Sequence, residues 1–415
     1  AAFSGDGKGL VAARDADPGD TLIHLPEDCL LRTLDKSLPR EYIQAILDTD
    51  NDMIAARQGL RMAFERTLGN TSYWWPYIRT LPPYYEGVPL LWQESEVNKL
   101  DVTSISEEIL HNNLTLEVAM EKIKIDKDIL RWSAATAFTR GLNTKLRGTF
   151  IAPLIDMCRH SFKANSVLSY EDRFLTLSAL REIKEGEPLL IDYGSESNDI
   201  YLLNFGIVPY DNPHETVSIA FNSTQMFALS LMGAKTTNIA DAVEREIRTF
   251  EVEPERAALM NYYGVRENKD VTVANNKGIA KEFAAGVRAM LAREDITDVD
   301  DFKNPLKDPD IEWVVCHALR VLYAHLLTEY QTSEEEDLAI LRLRDEKNLS
   351  PAEVLSLRFR VEKKKILRRA YLQATDDLHK AAVRRKKRNK RKEDDQDLQE
   401  AHPIAKPSEP TPQNE

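Results

Sequence analysis

Three stretches in the middle of the chain carry the side chains best suited to chemistry. In "PLIDMCRHS" (Pro153 to Ser161), Asp156 and His160 stand four residues apart, a spacing open to an acid–base pair or two metal ligands. No second His or Cys cluster accompanies them, so no metal site is expected. A structural Asp–His pair accounts for the same residue types. In "LIDYGSESN" (Leu190 to Asn198), an apolar strand ends at Tyr193-Gly194 and sets a phenol where the backbone turns sharply. Such a phenol is either core with its hydroxyl satisfied or a reactive-site group. In "LLNFGIVPYDNPHE" (Leu202 to Glu215), the pair Phe205-Gly206 follows a helical pattern. No Gly-x-Ser-x-Gly elbow appears, so a catalytic triad lacks its nucleophile.

A fourth stretch, "GDGKG" (Gly5 to Gly9), has the composition of a loop packed closely against a ligand. A dinucleotide fingerprint needs a strand before the glycines and a helix after them. Only four residues precede Gly5, and "DPGD" (Asp17 to Asp20) turns the chain soon after. A Walker A loop is excluded because no Gly-Lys-Ser/Thr follows. Taken alone, the stretch reads as a tight glycine loop leading into a hairpin.

The elements that must position these groups are mixed. Residues 1 to about 35 read as β-rich, with a strand at Thr21 to Pro26. From Asp35 to about Leu130 the pattern is helical and irregular, and Pro76, Pro82 and Pro83 forbid a continuous helix through "SYWWPYIRTLPPYYEG". "RWSAATAFTRGLN" (Arg131 to Asn143) reads as a helix, and residues 150 to 221 return to short strands with a brief helix at "SNDIYLLNFG". The rest is predominantly helical. Ile311, Val314, Ala318, Leu322 and Leu326 make one apolar stripe, and Ser350, Pro351 and Glu353 form a helix start with a capping box. The fold class is therefore α+β: a β-rich domain interrupted by a helical insert, then an all-α domain and a charged tail.

Composition limits the class. A hydrophobic fraction of 42% and a charged fraction of 30% are globular values, and no apolar run reaches the length of a membrane span. Cys29, Cys158 and Cys316 are far apart, which fits buried free thiols in a reducing compartment. The net charge is −13 although "RRKKRNKRK" (Arg384 to Lys392) is almost wholly basic. The body is too acidic to bind nucleic acid, so any such binding belongs to residues 384–392. The absence of an initiator Met is read as upstream trimming, which would hide a transit peptide.

The order of the motifs is more specific than any one of them. A Gly-rich loop into a hairpin, a helical insert, "DMCRHS", "IDYG" and "NFGIV" together resemble the SET-domain protein methyltransferases. The narrower resemblance is to the subclass typified by the Rubisco large-subunit lysine methyltransferase. "WWPYIRTLP" and "SNDIYLLNFGIVPYDNPHE" are its most specific strings, and Phe3 to Val217 is the part best covered. "SEEEDLAIL" and "RVEKKKIL" resemble the helical C-terminal domain of that subclass.

The resemblance implies a SET domain over residues 1–217 with an insert at about 35–130 and a helical substrate-binding domain over 218–382, while the basic-then-acidic composition beyond it reads as a disordered tail over 383–415. It implies S-adenosylmethionine (SAM) as cofactor, held by Asp6, Gly7, Lys8, Arg140, Arg159 and His160. Substrate would meet Arg140, Thr144, Asp156, Tyr193 and Phe205, with Tyr193 as the catalytic tyrosine. Methyl transfer from a sulfonium is an in-line displacement in which alignment dominates, so neither metal nor covalent intermediate is required. The implied reaction is methylation of a lysine in a non-histone protein. Its alternatives are a histidine-directed enzyme of the same subclass, or a catalytically weak scaffold that binds protein.

Two positions depart from the pattern. Arg159-His160 stands where the family usually has Asn-His, and Phe205 stands where many relatives have Tyr. The second change is expected to favour higher methylation states. The expected partner is a protein bound through the helical domain, with no membrane and a monomeric chain. Cytoplasm or nucleus is the expected compartment, with plastid also open.

Overall fold

The structure is a computed structural model that describes residues 2–3, 9–51, 53–144, 148–220, 228, 270–274, 281–291 and 302–401. Their contacts group into two units. One comprises Ala1–Glu215 with Gln331–Lys363, and the other Thr216–Tyr330 with Lys364–Glu415.

In the first unit, turn chemistry sets the strand starts. Gly19 takes φ +90°, and the Asp20 carboxylate accepts from the Asp17 amide over 2.9 Å, which closes the "DPGD" turn. The strand Thr21–Pro26 then pairs antiparallel with Phe174–Ala179, which pairs in turn with Ser166–Glu171. A second three-stranded sheet orders Leu31–Arg32, Gly148–Ile151 and Gly141–Thr144 around its middle strand. The third pairing is short and parallel: Arg159 lies opposite Leu190, and His160 opposite Ile191. This pairing brings "CRHS" alongside "LIDYG".

The helical insert builds its own core. The helices Ile54–Leu68 and Lys127–Arg140 cross at Gly59, where an added Cβ would stand 2.7 Å from the Ala134 Cα. That glycine lets two backbones approach where any side chain would push them apart. Leu60, Met62, Ala63, Leu130, Ala134 and Ala135 are buried in the same cluster. Asp126 caps the second helix by accepting from the Asp128 and Ile129 amides at 3.0 and 3.1 Å. Its last residue is Arg140, so the rigid pair of helices fixes where that guanidinium begins. "WWPYIRTLP" holds only one helical turn, Trp75–Ile78.

The expected helix after "SES" is present as Asn198–Ile200, but it widens into a π turn over Tyr201–Phe205. Gly206 ends that turn at φ +63° against Gly87, whose carbonyl oxygen would lie 2.8 Å from an added Cβ. The two glycines therefore dock the insert against the segment that carries Phe205.

The second unit pairs the strand Thr216–Ala220 with Asp270–Ala274. The second of these strands lies in the region expected to be helical, and its β-branched "VTV" explains the preference. The expected boundary at 217 falls within the first strand. Helices Lys281–Leu291 and Pro309–Thr328 are joined by a buried bidentate pair, Arg288 to Glu312, at 2.8 and 3.0 Å.

The capping box is formed: Ser350 donates its amide to Glu353 at 2.8 Å and accepts the Glu353 amide at 3.2 Å. The helix it opens runs from Pro351 to Ala401. The disordered tail expected from 383 is thus corrected as far as 401. Arg385 and Arg388 sit one turn apart and meet Asp310 at 2.7 and 2.5 Å, and Arg388 also meets Asp308 at 2.9 Å. That acid pair anchors the basic run to the helix Pro309–Thr328 within the same unit. Among the described residues, no helix is long and apolar enough to cross a membrane.

Candidate active site

Asp156 is placed by a strained turn. Leu154 takes φ +74° and ψ −52°, and the 3-10 turn Ile155–Met157 follows directly. A leucine in that region costs energy and persists where the surroundings over-determine it. The turn buries the Asp156 carboxylate completely, between two donors from the insert. Tyr77 donates its hydroxyl to Oδ2 over 2.5 Å, and Arg140 donates from Nη1 to the same oxygen over 3.2 Å. Oδ1 has no partner among the described residues.

The electrostatics follow from burial. Loss of solvent raises the Asp156 carboxyl above its ordinary value, against the pull of Arg140 and Tyr77. Burial lowers the Arg140 guanidinium, but the Asp156 charge together with the Tyr85 and Tyr77 phenols more than offsets this and leaves it raised. Burial, then the Asp156 charge, holds the Tyr77 phenol well above its usual range, so Tyr77 remains a donor.

Tyr193 lies on the other side of the short parallel pairing. Its hydroxyl donates to the Cys158 carbonyl over 2.6 Å, and its amide donates to His160 Nδ1 over 3.2 Å. Burial raises the phenol, so the hydroxyl keeps its proton. Phe205 packs against the Tyr193 ring at 4.8 Å, and Tyr201 packs against His160 at 4.8 Å while donating its hydroxyl to the Gly194 carbonyl over 2.5 Å. Burial also lowers the His160 imidazole against the nearby Asp192, so its neutral form is favoured. His160 Nε2 is buried without a partner among the described residues.

Cys158 is buried and its thiol is pushed up to about 12, which rules out a thiolate nucleophile at neutral pH. Among the described residues no group of His, Cys, Asp and Glu could hold a metal ion. The arrangement can orient a ligand and accept hydrogen bonds from it.

Arg159 lies against Gly9. A Cβ on Gly9 would stand 2.7 Å from its Nε and 3.0 Å from its Cγ. Asp6, Gly7 and Lys8 lie outside the described residues, as does the Thr144 side chain. The backbone of Thr144 ends the strand Gly141–Thr144 opposite Gly148. Of the expected site residues, Arg140 and Asp156 meet directly, and Tyr193 meets His160 and Phe205. Tyr77 and Tyr201 were not expected. Their only sequence signal is the aromatic density of "SYWWPYIRTLPPYYEG" and "DIYLLNFG".

Residues 7–194 match the family model of the SET domain. Its sequence is 25% identical over 407 residues to the actin-histidine N-methyltransferase of Danio rerio, covering 89% of this chain and 63% of that protein. The Homo sapiens actin-histidine N-methyltransferase gives 25% over 405 residues, with 89% and 64% covered. The chain thus spans just under two thirds of the length of these curated relatives. Its fold is that of Rubisco LSMT: a structure bound to sinefungin and monomethyllysine superposes with a TM-score of 0.67 at 16% identity, covering 92% of this chain and 87% of the other. A structure of Rubisco LSMT bound to AdoMet gives a TM-score of 0.65 at 16% identity, with the same coverage.

Proposed function

We propose that this chain is a SAM-dependent protein methyltransferase that modifies a side-chain nitrogen of a protein substrate. The observation that carries the reading is the Tyr193 hydroxyl, half-buried beside the His160 and Phe205 rings with its hydrogen committed to the Cys158 carbonyl. That commitment leaves the oxygen lone pairs to accept from an N–H of the incoming residue.

The residues present fit SAM. Gly9 is a cradle that a Cβ would fill, and the Arg159 guanidinium beside it suits the carboxylate of the cofactor. His160 Nε2 and Arg140 Nε are buried polar atoms in want of partners among the described residues. The cofactor would be held by Arg140, Arg159 and His160 with Asp6, Gly7 and Lys8. When bound, it supplies a methyl group on a cationic sulfonium. The chain's part is to align the acceptor lone pair, exclude water and keep the acceptor neutral. Enclosure by Tyr193, Tyr201 and Phe205 disfavours an ammonium and so supports the neutral amine. The buried Asp156 carboxyl, steadied by Tyr77 and Arg140, offers Oδ1 on the substrate side.

Lysine is the acceptor in this reading, supported by the aromatic enclosure and by the LSMT fold, which has been solved with monomethyllysine. Phe205 brings no hydroxyl to the enclosure and leaves room for higher methylation states. Histidine is the second reading, favoured by the names of the curated relatives. The substrate would dock on the helical second unit.

Tritiated SAM incubated with the chain and an undermethylated cell extract tests this. The reading expects labelled protein whose hydrolysate contains di- or trimethyllysine. Label in methylhistidine would establish the second reading, and monomethyllysine alone would remove the assigned role of Phe205. No labelled protein with any extract would contradict the function.

A further inference from the structure

The π turn that carries Tyr201 and Phe205 is pinned from behind by a buried charge cluster outside the site just described. Glu215, in "DNPHE", is buried, and its Oε2 accepts the Asn198 amide over 3.0 Å where the turn begins. Its Oε1 accepts from the Lys363 ammonium over 2.7 Å. The same ammonium reaches Asp199 Oδ2 over 2.5 Å, and the Lys363 side chain is only 4% exposed. Asn198 donates to the Pro209 carbonyl, and Asn212 donates to Asn198 Oδ1 and to the Glu196 carbonyl, so both flanks of the turn are tied into the cluster. Lys363 belongs to the helix that begins at Pro351, far along the chain from either carboxylate.

One buried cation thus holds two carboxylates that lie on either side of Tyr201–Phe205. A π turn is a rare and locally loose geometry that depends on its surroundings. With Lys363 absent, Glu215 and Asp199 would lose the cation they share across the turn.

We propose that Lys363 is a positioning residue for methyl transfer: by bridging Glu215 and Asp199 it fixes the turn that sets Tyr201 and Phe205 against His160 and Tyr193. It thereby governs how many methyl groups the site admits. This inference rests on the methyltransferase reading.

The test compares the full unmodified chain with Lys363→Met and with Lys363→Met/Glu215→Gln. The double variant also removes the buried Glu215 charge and keeps an acceptor for the Asn198 amide, so it carries the test where the single variant does not fold. Hydrogen exchange across residues 198–206 is measured beside tritiated-SAM transfer and the ratio of mono-, di- and trimethylated products. In the folded variant, exchange across 198–206 is expected to speed by about tenfold while that of the helix Lys127–Arg140 is unchanged. The product ratio shifts, and turnover falls about tenfold with KM for SAM held within about twofold. A folded variant with unchanged exchange, or with an unchanged product ratio, overturns the inference alone. An unmodified chain that transfers no methyl overturns the methyltransferase reading, and the inference with it.

Discussion

Tyr193 spends its hydroxyl hydrogen on the Cys158 carbonyl, 2.6 Å away. The phenol is thereby an acceptor toward anything that enters the site, and its orientation is set by backbone. Tyr193→Phe removes the acceptor and strands the Cys158 carbonyl without altering the ring packing on Phe205. Methyl transfer should fall about 100-fold, as for a misaligned reacting group. SAM affinity should stay within about threefold, since the hydroxyl is committed elsewhere. Turnover with labelled SAM, set beside calorimetric binding, checks both halves.

Gly206 and Gly87 make the closest backbone approach between the insert and the Phe205 segment. Gly206→Ala meets two penalties, a left-handed φ of +63° and a Cβ 2.8 Å from the Gly87 carbonyl oxygen. The expected loss is roughly 2–4 kcal/mol. Gly186→Ala is the control, because φ is +80° there but nothing lies within 4 Å of the added Cβ. It should cost about 1 kcal/mol. Urea unfolding of both variants reads the difference, and equal losses would remove the docking role of the pair.

His160 is held below its ordinary value by burial, with Asp192 opposing. Between that lowered value and the unfolded value of about 6.5, the unfolded chain binds the proton and the folded chain does not. The stability this contributes is complete above pH of about 6.5 and is lost as pH falls through the folded value. In His160→Gln the fall in stability below that pH should be shallower by up to one proton. Parallel slopes for the two proteins in urea titrations across the window would refute this.

The basic run Arg384–Lys392 is anchored at Arg385 and Arg388 by Asp310 and Asp308, and the Asp310 side chain is only 6% exposed. Replacing both arginines by alanine leaves that carboxylate without its cations. The expected cost is about 3 kcal/mol, with methyl transfer by the folded protein kept. Thermal unfolding of the double variant checks it. A freely solvated arm would show no change.

Much of this architecture could be read from residue order, and the remainder fails for identifiable reasons. Pro76, Pro82 and Pro83 broke the insert helix as expected, and Ser350 with Glu353 marked a helix start that the structure forms. Asp156, Arg140, His160 and Tyr193 were selected as one group, and two linked sets of contacts now hold them. The Tyr77–Asp156 hydrogen bond spans 79 residues, and no local pattern encodes a pairing at that range. The helical state of residues 384–392 was missed because charge composition alone favours a solvated arm. Only the fold brings Asp308 and Asp310 to Arg388. The strand Asp270–Ala274 was missed for want of a local partner, since it pairs with Thr216–Ala220.

The most direct test of the central claim is calorimetric titration with SAM of the unmodified chain and of Arg159→Asn. If Arg159 beside Gly9 meets the cofactor carboxylate, the unmodified chain binds SAM and the asparagine variant binds it more weakly. An unmodified chain that fails to bind, with binding restored by asparagine, would mean that Arg159 has closed the site and that the chain is no methyltransferase.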